Sequence, residues 1–199
     1  MDPDRIVTLD RVDRGFYQRS TKAVARDLLG KLLIHRTPDG IVAVRIAETE
    51  AYLGPDDAAA HTRGGLRTER VRSMWGPPGH AYVYLVYGLH HCLNLVSSTE
   101  GRGEAVLLRG GPVVSGHGLA RARRGEEIRS PNLADGPGKL CQALGVTREH
   151  DGLDVCGPRA ELFVAEDGCR PERVATTPRV GVDYAGEAAG WPLRFVVSS

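Results

Sequence analysis

The stretch IVAVRIAETEAY, residues 41–52, decides the fold class because apolar side chains alternate along it. Successive side chains of a β-strand point to opposite faces, so every second residue shares a face. One face carries an apolar row followed by polar groups: Val42, Val44, Ile46, Glu48, Glu50 and Tyr52. We predict one long strand from Ile41 to Tyr52, in which a core-directed row ends in two carboxylates and an aromatic ring. A buried carboxylate is costly unless it is paired or used, so this strand is a candidate for a site.

Turn and cap signals on either side of that strand predict a mixed fold. Ser20 can cap a helix over residues 21–29, and residues 137–144 fit a short helix that begins with proline and is followed by glycine. Residues 110–131 are basic and weakly patterned, which favours a mobile loop with a short helix. The other predicted strands cover residues 32–35, 81–87, 92–97, 105–109, 162–165, 179–183 and 193–197. We expect an α+β fold with a curved, mostly antiparallel sheet and surrounding helices, in a single domain over residues 1–199.

Composition argues against several classes of protein. Of the 199 residues 41% are hydrophobic, which is enough to bury a core, yet no apolar run approaches the ~18 residues of a membrane span. The first ten residues are charged and lack the apolar stretch of a signal peptide, so we expect a cytoplasmic protein with no membrane partner. The four cysteines form no Cys-x-x-Cys pair and are expected to be reduced: Cys92, Cys141, Cys156 and Cys169.

Charge is more informative in its distribution than in its sum. The net charge is +1, but residues 61–130 carry ten arginines against five acidic residues. Across the chain, 23 arginines outnumber three lysines. Arginine grips phosphate through two parallel hydrogen bonds, whereas lysine offers a point charge, so the bias suits a nucleic-acid partner. A compositional bias unrelated to function would give the same numbers, and charge alone leaves both explanations open.

Three segments concentrate groups that could do chemistry. Residues 48–65 contain ETEAY, two aspartates and HTRGG; residues 82–94 begin with YVYLVYG and end at Asn94; residues 107–109 end at Arg109. Aromatic rings with an amide suit a pocket for a flat, hydrogen-bonding ligand such as a nucleobase. A carboxylate beside an arginine suits the activation of water. Each residue alone also fits an ordinary structural role, but their concentration favours a site.

Metal and amine chemistry fit these segments less well. Histidines and carboxylates that could bind a metal form no His-Glu-x-x-His pattern: His61, His80, His90, His91, Glu48 and Glu50. We therefore expect neither a metal nor another cofactor. Covalent catalysis through a Schiff base needs an amine, but Lys22, Lys31 and Lys139 all lie outside the three segments. Water is the expected nucleophile.

These segments resemble the alkyladenine DNA glycosylase family, also called 3-methyladenine or methylpurine DNA glycosylases. The resemblance runs from about residue 28 to residue 197 and is carried by ordered motifs: ETEAY (48–52), AAHTRGG (59–65), YVYLVYG (82–88), CLN (92–94), VLLR (106–109), GPGKLCQAL (136–144), RVGVDYAGE (179–187) and PLRF (192–195). It implies a base-excision-repair enzyme that flips a damaged purine out of duplex DNA and hydrolyses its bond to deoxyribose. The implied lesions are alkylated or deaminated purines, with 3-methyladenine, 7-methylguanine, hypoxanthine and ethenoadenine unranked.

The resemblance also implies roles for individual residues. Glu50 corresponds to the general base, and Arg109 and the backbone carbonyl of Val180 correspond to groups that hold the attacking water. Tyr87 corresponds to the wedge that fills the gap left in the duplex, and Asn94 to the residue that crowds an exocyclic amino group on the purine. Tyr52, His61 and Tyr84 correspond to the walls that stack on the flipped base, and the backbone at Ala59 and His61 corresponds to groups that contact its edge.

DNA contacts outside the pocket are implied less specifically. His90, beside the wedge, stands where family members often carry tyrosine, and it joins Arg63 and Lys139 in the expected DNA-binding set. Three arginines lie in the stretch that matches the family poorly: Arg121, Arg123 and Arg124. The expected partner is double-stranded DNA containing damaged purines, bound by a monomer. Two other classes stay open, a non-catalytic nucleic-acid-binding domain and a metal-dependent hydrolase.

Overall fold

Two antiparallel sheets form the framework of residues 6 and 8–198, the part of the chain that this computed structural model describes. The five-stranded sheet contains β1 (Asp10–Arg11), β2 (Leu32–Thr37), β3 (Gly40–Arg45), β8 (Val113–Ser115) and β9 (Leu162–Glu166), in the order β1-β9-β2-β3-β8. The six-stranded sheet contains β4 (Glu48–Tyr52), β5 (Ala81–Val86), β6 (His90–Ser97), β7 (Glu104–Gly110), β10 (Val174–Thr177) and β11 (Arg194–Val197), in the order β10-β11-β4-β7-β6-β5. With the helices around them these sheets make an α+β fold, as the sequence predicts.

Short helices flank the sheets. The α-helices are α1 (Arg14–Tyr17), α2 (Thr21–Asp27), α3 (His117–Arg124) and α4 (Pro137–Leu144). The 3₁₀ segments are Gly54–Asp56, Arg63–Gly65, Glu69–Trp75, Ser130–Asn132, Arg148–His150 and Asp183–Gly190. Ser20 caps α2 by accepting the N–H of Ala23 at 3.4 Å, and Gly145, with φ of 76°, follows α4. Both helices predicted from cap signals are therefore confirmed, although α2 ends two residues earlier than expected.

The chain changes sheets inside residues 41–52, so the prediction of one long strand is wrong. β3 and β4 are separated by Ile46 and Ala47. The amide N–H of Ile46 donates to the Lys31 carbonyl, next to β2, and that of Ala47 donates to the Gly110 carbonyl, at the end of β7, each at 2.9 Å. These two bonds anchor the crossing on both sheets.

Crossing between sheets also resets the face that each side chain occupies. Val42 and Val44 on β3 and Ala51 on β4 are all buried in the main core. Because side chains alternate along a strand, Glu50 and Tyr52 on β4 point away from that core. A register shift against β7 at the start of β4 accompanies the change. The apolar row therefore does not run on into the carboxylates, which occupy the outer face of the six-stranded sheet.

The main core lies where the two sheets meet α2 and α4. Its members come from all four elements and include Val24, Leu28, Leu33, Leu95, Leu108 and Leu140. Burying a side chain of this size stabilises the fold by about 1.5–3 kcal/mol, so the sheets are held together mainly by this layer. Within the part of the chain that the structure describes, none of the helices combines the length and apolar character of a transmembrane span.

Residues 179–183 do not form the predicted strand. Gly181 has a φ of 72°, which lies in the left-handed region, and the 3₁₀ segment Asp183–Gly190 starts two residues later. The side chain of Arg179 is buried and bonded to residues of other segments. This stretch is a wall of the candidate site, as described below, and not part of either sheet.

Residues 110–131 contain β8 and α3, where a mobile loop with a short helix was predicted. The short helix is confirmed, but the arginines at its end bond within the protein. Arg123 donates to the Leu144 carbonyl at 2.7 Å and Arg124 to the Leu133 carbonyl at 3.0 Å. Arg121 donates to Ser130 Oγ at 2.8 Å. These guanidinium groups hold α3 against α4 and its preceding loop, which disfavours a role for the three arginines in DNA contacts.

Candidate active site

Glu50 is a fully buried carboxylate with three partners. Its Oε1 accepts the amide N–H of Val180 at 2.8 Å, and its Oε2 accepts the Tyr52 hydroxyl at 2.9 Å. Arg109 Nη1 lies 3.4 Å from Oε1. These contacts make the buried charge tolerable, and a carboxylate has about four lone-pair sites, so acceptor capacity is left for a water molecule. The contact that Val180 makes in the structure is its N–H bond to Glu50. The expected contact between its carbonyl and the attacking water stays a prediction.

Glu48, two residues earlier, is held by arginines on both sides. Its Oε1 accepts from Arg109 Nε and from Arg194 Nε, each at 2.6 Å. Burial alone would lower the pKa of Arg109, but attraction to Glu50 and Glu48 outweighs it and raises that pKa. Arg109 is therefore a fixed cation between the two carboxylates. Arg194 was not predicted, because it lies on β11, far along the chain.

A buried ion pair ties together the two loops beside Glu50. The side chains of Asp57 and Arg179 are both 0% exposed and make two hydrogen bonds to each other. Asp57 also accepts the N–H groups of Leu53 and Ala59, each at 3.0 Å, and Arg179 donates to the Ala51 carbonyl at 3.0 Å. The pair thus fixes the loop after β4 and the segment that carries Val180, which donates to Glu50.

Aromatic side chains form the walls in front of Glu50. His61 Nδ1 lies 2.8 Å from the Tyr82 hydroxyl, and the His61 ring meets the Tyr84 ring edge to face, with centroids 4.5 Å apart. Burial lowers the pKa of His61 to about 4, and the charges of Arg70 and Arg63 act in the same direction. His61 is therefore neutral at pH 7. Burial likewise raises the pKa of Tyr84, so its phenol is neutral too.

Asn94 is fixed at the bottom of the β5–β6 hairpin. It is buried on β6, opposite Tyr82 on β5. Its Nδ2 donates to the Tyr82 carbonyl at 3.1 Å. The amide therefore serves a backbone group, and it also lines the cavity described below. A side chain held in this way cannot swing aside for a larger ligand without losing a buried hydrogen bond.

The tip of the same hairpin is exposed. Tyr87 is 91% exposed with φ of 51°, Gly88 has φ of 70°, and Leu89 is 77% exposed. A left-handed backbone is uncommon for a residue other than glycine, and such strain is found most often at functional positions. With its side chain exposed in this way, Tyr87 is not part of the core.

The remaining predicted DNA-binding residues lie outside the cavity. His90 is exposed at the start of β6. Arg63 is exposed, with its guanidinium 5.9 Å from the centroid of the Tyr184 ring. Lys139, on α4, donates to Asp135 at 2.9 Å. The structure thus leaves all three available on the surface but does not bring them into the pocket.

One cavity of about 500 Å³ collects most of the predicted site residues. Eight of them line it: Tyr52, Ala59, His61, Tyr84, Tyr87, Asn94, Arg109 and Val180. Glu50 lies directly behind this lining, bonded to three of its members. Lining residues not predicted include Arg70, Met74, Tyr82, Cys92, Leu107 and Tyr184. Tyr82 could have been found, because it stands two residues before Tyr84 and shares its face.

The six metal-ligand candidates from the sequence do not assemble. Within the described residues, the cluster of three potential ligands whose atoms lie within 4.8 Å of one another is His35, His150 and Glu161, which are not lining residues of the cavity. His80 contacts Arg14, and His61 contacts Tyr82. The arrangement around Glu50 therefore suits a flat ligand held by rings, with a carboxylate and an arginine beneath it.

Comparison with known proteins agrees with that arrangement. The family model described as methylpurine-DNA glycosylase matches residues 15–199. A protein of Methanocella arvoryzae provisionally named a 3-methyladenine DNA glycosylase is 50% identical over 182 residues, which are 92% of this chain and 90% of that protein. Proteins with the same provisional name from Desulfitobacterium hafniense and Bdellovibrio bacteriovorus are 42% and 46% identical, over 94% and 90% of this chain and 95% and 91% of their own lengths. The chain belongs to the methylpurine-DNA glycosylase family and is a DNA glycosylase of base excision repair.

Proposed function

We propose that the protein flips an alkylated or deaminated purine out of duplex DNA and hydrolyses its N-glycosidic bond with a water activated by Glu50. The observation that carries the proposal is the fully buried Glu50 carboxylate, held by Tyr52, Val180 and Arg109 behind an aromatic cavity. A damaged base inside the stack is out of reach of such a group, so the nucleotide must leave the duplex first, at a cost of a few kcal/mol.

Base binding in the cavity rests on rings that carry no charge. Alkylation at N3 or N7 gives a purine a positive charge, which aromatic faces favour by about 0.5–2 kcal/mol. With its pKa lowered to about 4, His61 adds no repelling charge at pH 7. Tyr52, Tyr84 and His61 are proposed as the stacking walls, with the backbone at Ala59 and His61 meeting the edge of the base.

In the chemical step Glu50 takes a proton from water as the water oxygen bonds to C1′ of the deoxyribose. The glycosidic bond breaks and its electron pair leaves with the base. A positively charged purine thus departs as a neutral molecule, whereas hypoxanthine departs as an anion and takes up a proton from solvent. Arg109 is proposed to orient the water together with the Val180 carbonyl. General-base assistance of this kind is typically worth ~10²–10⁴-fold. The products are a free base and an abasic site.

Tyr87 is proposed as the wedge that enters the duplex in place of the flipped nucleotide. Its exposure and its position at a hairpin tip suit insertion into a groove, and filling the gap offsets the unstacking cost. His90, Arg63 and Lys139 are proposed to contact the DNA around the wedge. We further propose that the protein acts as a single-domain monomer on double-stranded DNA in the cytoplasm.

The enzyme is proposed to be monofunctional and to excise without a metal. Among the described residues, the cavity lining contains no lysine that could form a Schiff base. Reaction mixtures with lesion DNA should therefore yield intact strands with abasic sites, no adduct on borohydride reduction, and full excision in EDTA. Strand cleavage, a trapped adduct, or EDTA inhibition that added metal reverses would each contradict this part.

The test of the proposal is Glu50→Gln, which keeps the shape of the side chain but removes the base. Single-turnover release of hypoxanthine or 3-methyladenine should fall at least about 100-fold, while lesion-DNA binding is kept. The matched control is Glu48→Gln, two residues away on the same strand, for which we expect a smaller loss. Release by Glu50→Gln within a few-fold of the natural protein would overturn the assignment of Glu50 as base.

A further inference from the structure

Two histidines outside the DNA-binding cavity face each other through their Nε2 atoms. His35, on β2, is 2% exposed, and its Nε2 lies 3.3 Å from Nε2 of His150. The rings are nearly perpendicular, with centroids 4.8 Å apart. A carboxylate completes the group, because Glu161 Oε1 lies 3.9 Å from His150 Nε2. None of the three side chains lines the cavity in front of Glu50.

A hydrogen bond on the far side of the His35 ring prepares this histidine as a ligand. His35 Nδ1 lies 2.8 Å from the Leu144 carbonyl, which can only accept, so the proton sits on Nδ1 and the lone pair on Nε2. Metal-bound histidines usually donate their other N–H to a carbonyl or carboxylate in this manner. Burial also lowers the pKa of His35, which keeps the ring neutral at pH 7.

The three groups are positioned by regular structure. The ladder between β2 and β9 pairs His35 with Leu162, the residue after Glu161, and the Arg36 N–H donates to the Glu161 carbonyl at 2.9 Å. His150 closes a capped 3₁₀ turn, in which the Thr147 N–H donates to its Nδ1 at 3.1 Å. This donation leaves the His150 proton on Nε2. When His150 Nε2 serves as a ligand, the proton moves to Nδ1, where the Thr147 carbonyl at 3.3 Å accepts it and the Thr147 N–H gives up its bond to Nδ1.

We propose that His35, His150 and Glu161 form a binding site for Zn²⁺. Two nitrogens bonded to one tetrahedral zinc at about 2.0–2.1 Å stand roughly 3.3 Å apart, the separation that the structure gives. Imidazole nitrogen and carboxylate oxygen suit zinc, and a fourth position is open to water, because the Glu161 side chain is 56% exposed. The ion would tie the 3₁₀ turn at His150 to β2 and the start of β9.

Arg123 limits the affinity of this site for a cation. Its guanidinium shares the Leu144 carbonyl with His35, and its positive charge opposes a cation nearby. Zinc should therefore bind more weakly here than at a four-cysteine site. The site is independent of the proposed glycosylase chemistry, so failure of the zinc proposal leaves the role of Glu50 untouched.

The experiment uses the full chain carrying Cys169→Ser, because Cys169 is a free, exposed thiol that could bind zinc itself. After chelator treatment and dialysis, ZnCl₂ is titrated in competition with a chromophoric chelator, and the melting temperature is followed in parallel. We expect one equivalent of Zn²⁺ and a rise in Tm of about 5 °C or more at ~100 times the dissociation constant. Co²⁺ in place of Zn²⁺ should give visible bands of a tetrahedral ion without a thiolate band.

Three variants decide the outcome. His150→Asn keeps an acceptor for the Thr147 N–H but removes Nε2, and Glu161→Gln changes only a half-exposed side chain. Each should weaken zinc binding, at least about tenfold for His150→Asn, and reduce the rise in Tm. His117→Asn, at the start of α3, is the matched control and should bind as before. Absence of stoichiometric binding, or undiminished binding by folded Glu161→Gln and His150→Asn, would overturn the proposal and leave a histidine pair that shares a proton.

Discussion

Tyr84 and Tyr87 are three residues apart on one hairpin, yet Tyr84 is packed against His61 in the cavity, whereas Tyr87 is 91% exposed. The lower part of the hairpin is tied down, with Asn94 bonded to the Tyr82 carbonyl and Tyr82 within hydrogen-bond distance of His61. At the tip, by contrast, the Tyr87 ring is exposed and its backbone is strained, so this side chain adds little to packing within the protein. The difference fits the two tasks proposed for the hairpin, recognition of a base in a rigid pocket and insertion into DNA by a free side chain.

The largest expected effect is on the stability of the rigid pocket. Asp57→Asn leaves the fully buried Arg179 without its counter-charge, and breaking a buried pair in this way costs about 3–5 kcal/mol of unfolding free energy. Asp56→Asn, the exposed neighbour, is the matched control and should change stability by less than about 0.5 kcal/mol. Denaturant unfolding of both variants measures the difference. Equal stability of the two would mean that the pair does not hold the pocket together.

A change at the exposed hairpin tip should affect base flipping and not stability. Tyr87→Ser should leave the unfolding free energy unchanged within about 0.5 kcal/mol, yet lower the flipped fraction about 10- to 100-fold, because nothing offsets the unstacking cost. Tyr87→Phe keeps the ring and should flip nearly normally. The readout is the fluorescence of 2-aminopurine placed beside the lesion. A folded Tyr87→Ser that brightens this probe as much as the natural protein does would remove Tyr87 as the wedge.

A smaller effect, on the choice between purine bases, is expected from Asn94 inside the pocket. The family resemblance places its side chain against the edge where guanine carries an exocyclic amine, and a clash or a buried unpaired amine costs about 1–3 kcal/mol. Asn94→Ser should therefore raise the ratio of guanine to hypoxanthine excision about fivefold or more. Single-turnover assays of both bases in one duplex context give the ratio. If this ratio does not rise in a folded variant, Asn94 does not determine the discrimination against guanine.

The smallest expected effect is on the pH dependence of stability. The pKa of His61 is lowered to about 4 in the folded protein, against about 6.5 unfolded, so the unfolded chain takes up a proton first as pH falls. The natural protein should lose on the order of 1 kcal/mol between pH 7 and pH 5 from this group. Buried His35 adds to the trend, so the difference between the natural protein and His61→Asn isolates His61. If that difference does not change with pH, His61 is not a buried neutral group.

Local signals in the sequence predicted much of this fold and part of the site. Cap residues located α2 and α4, and alternation located most strands, because both depend on neighbours along the chain. The crossing at Ile46 and Ala47 was missed, since an uninterrupted period of two does not say which sheet a residue joins. The false strand over residues 179–183 has a similar cause, because partners far along the chain decide its conformation.

In the candidate site, too, residues within local motifs were predictable, whereas contacts between distant segments were not. Eight of the site residues that the family motifs predict line one cavity. Arg194 and the Asp57–Arg179 pair were not assigned a role, because their importance comes from contacts between segments more than a hundred residues apart. His35, His150 and Glu161 carry no spacing signal and meet only through the β2–β9 ladder and a 3₁₀ turn.

Chemistry at Glu50 and insertion by Tyr87 are proposed to be separate functions, and one paired measurement tests this separation. Glu50→Gln and Tyr87→Ser are compared on the same hypoxanthine duplex, with 2-aminopurine fluorescence and base release recorded in a single turnover. We expect that Glu50→Gln flips the base but releases it at least about 100-fold more slowly, whereas Tyr87→Ser fails at flipping. Near-normal release by Glu50→Gln, or loss of flipping in that variant, would contradict it.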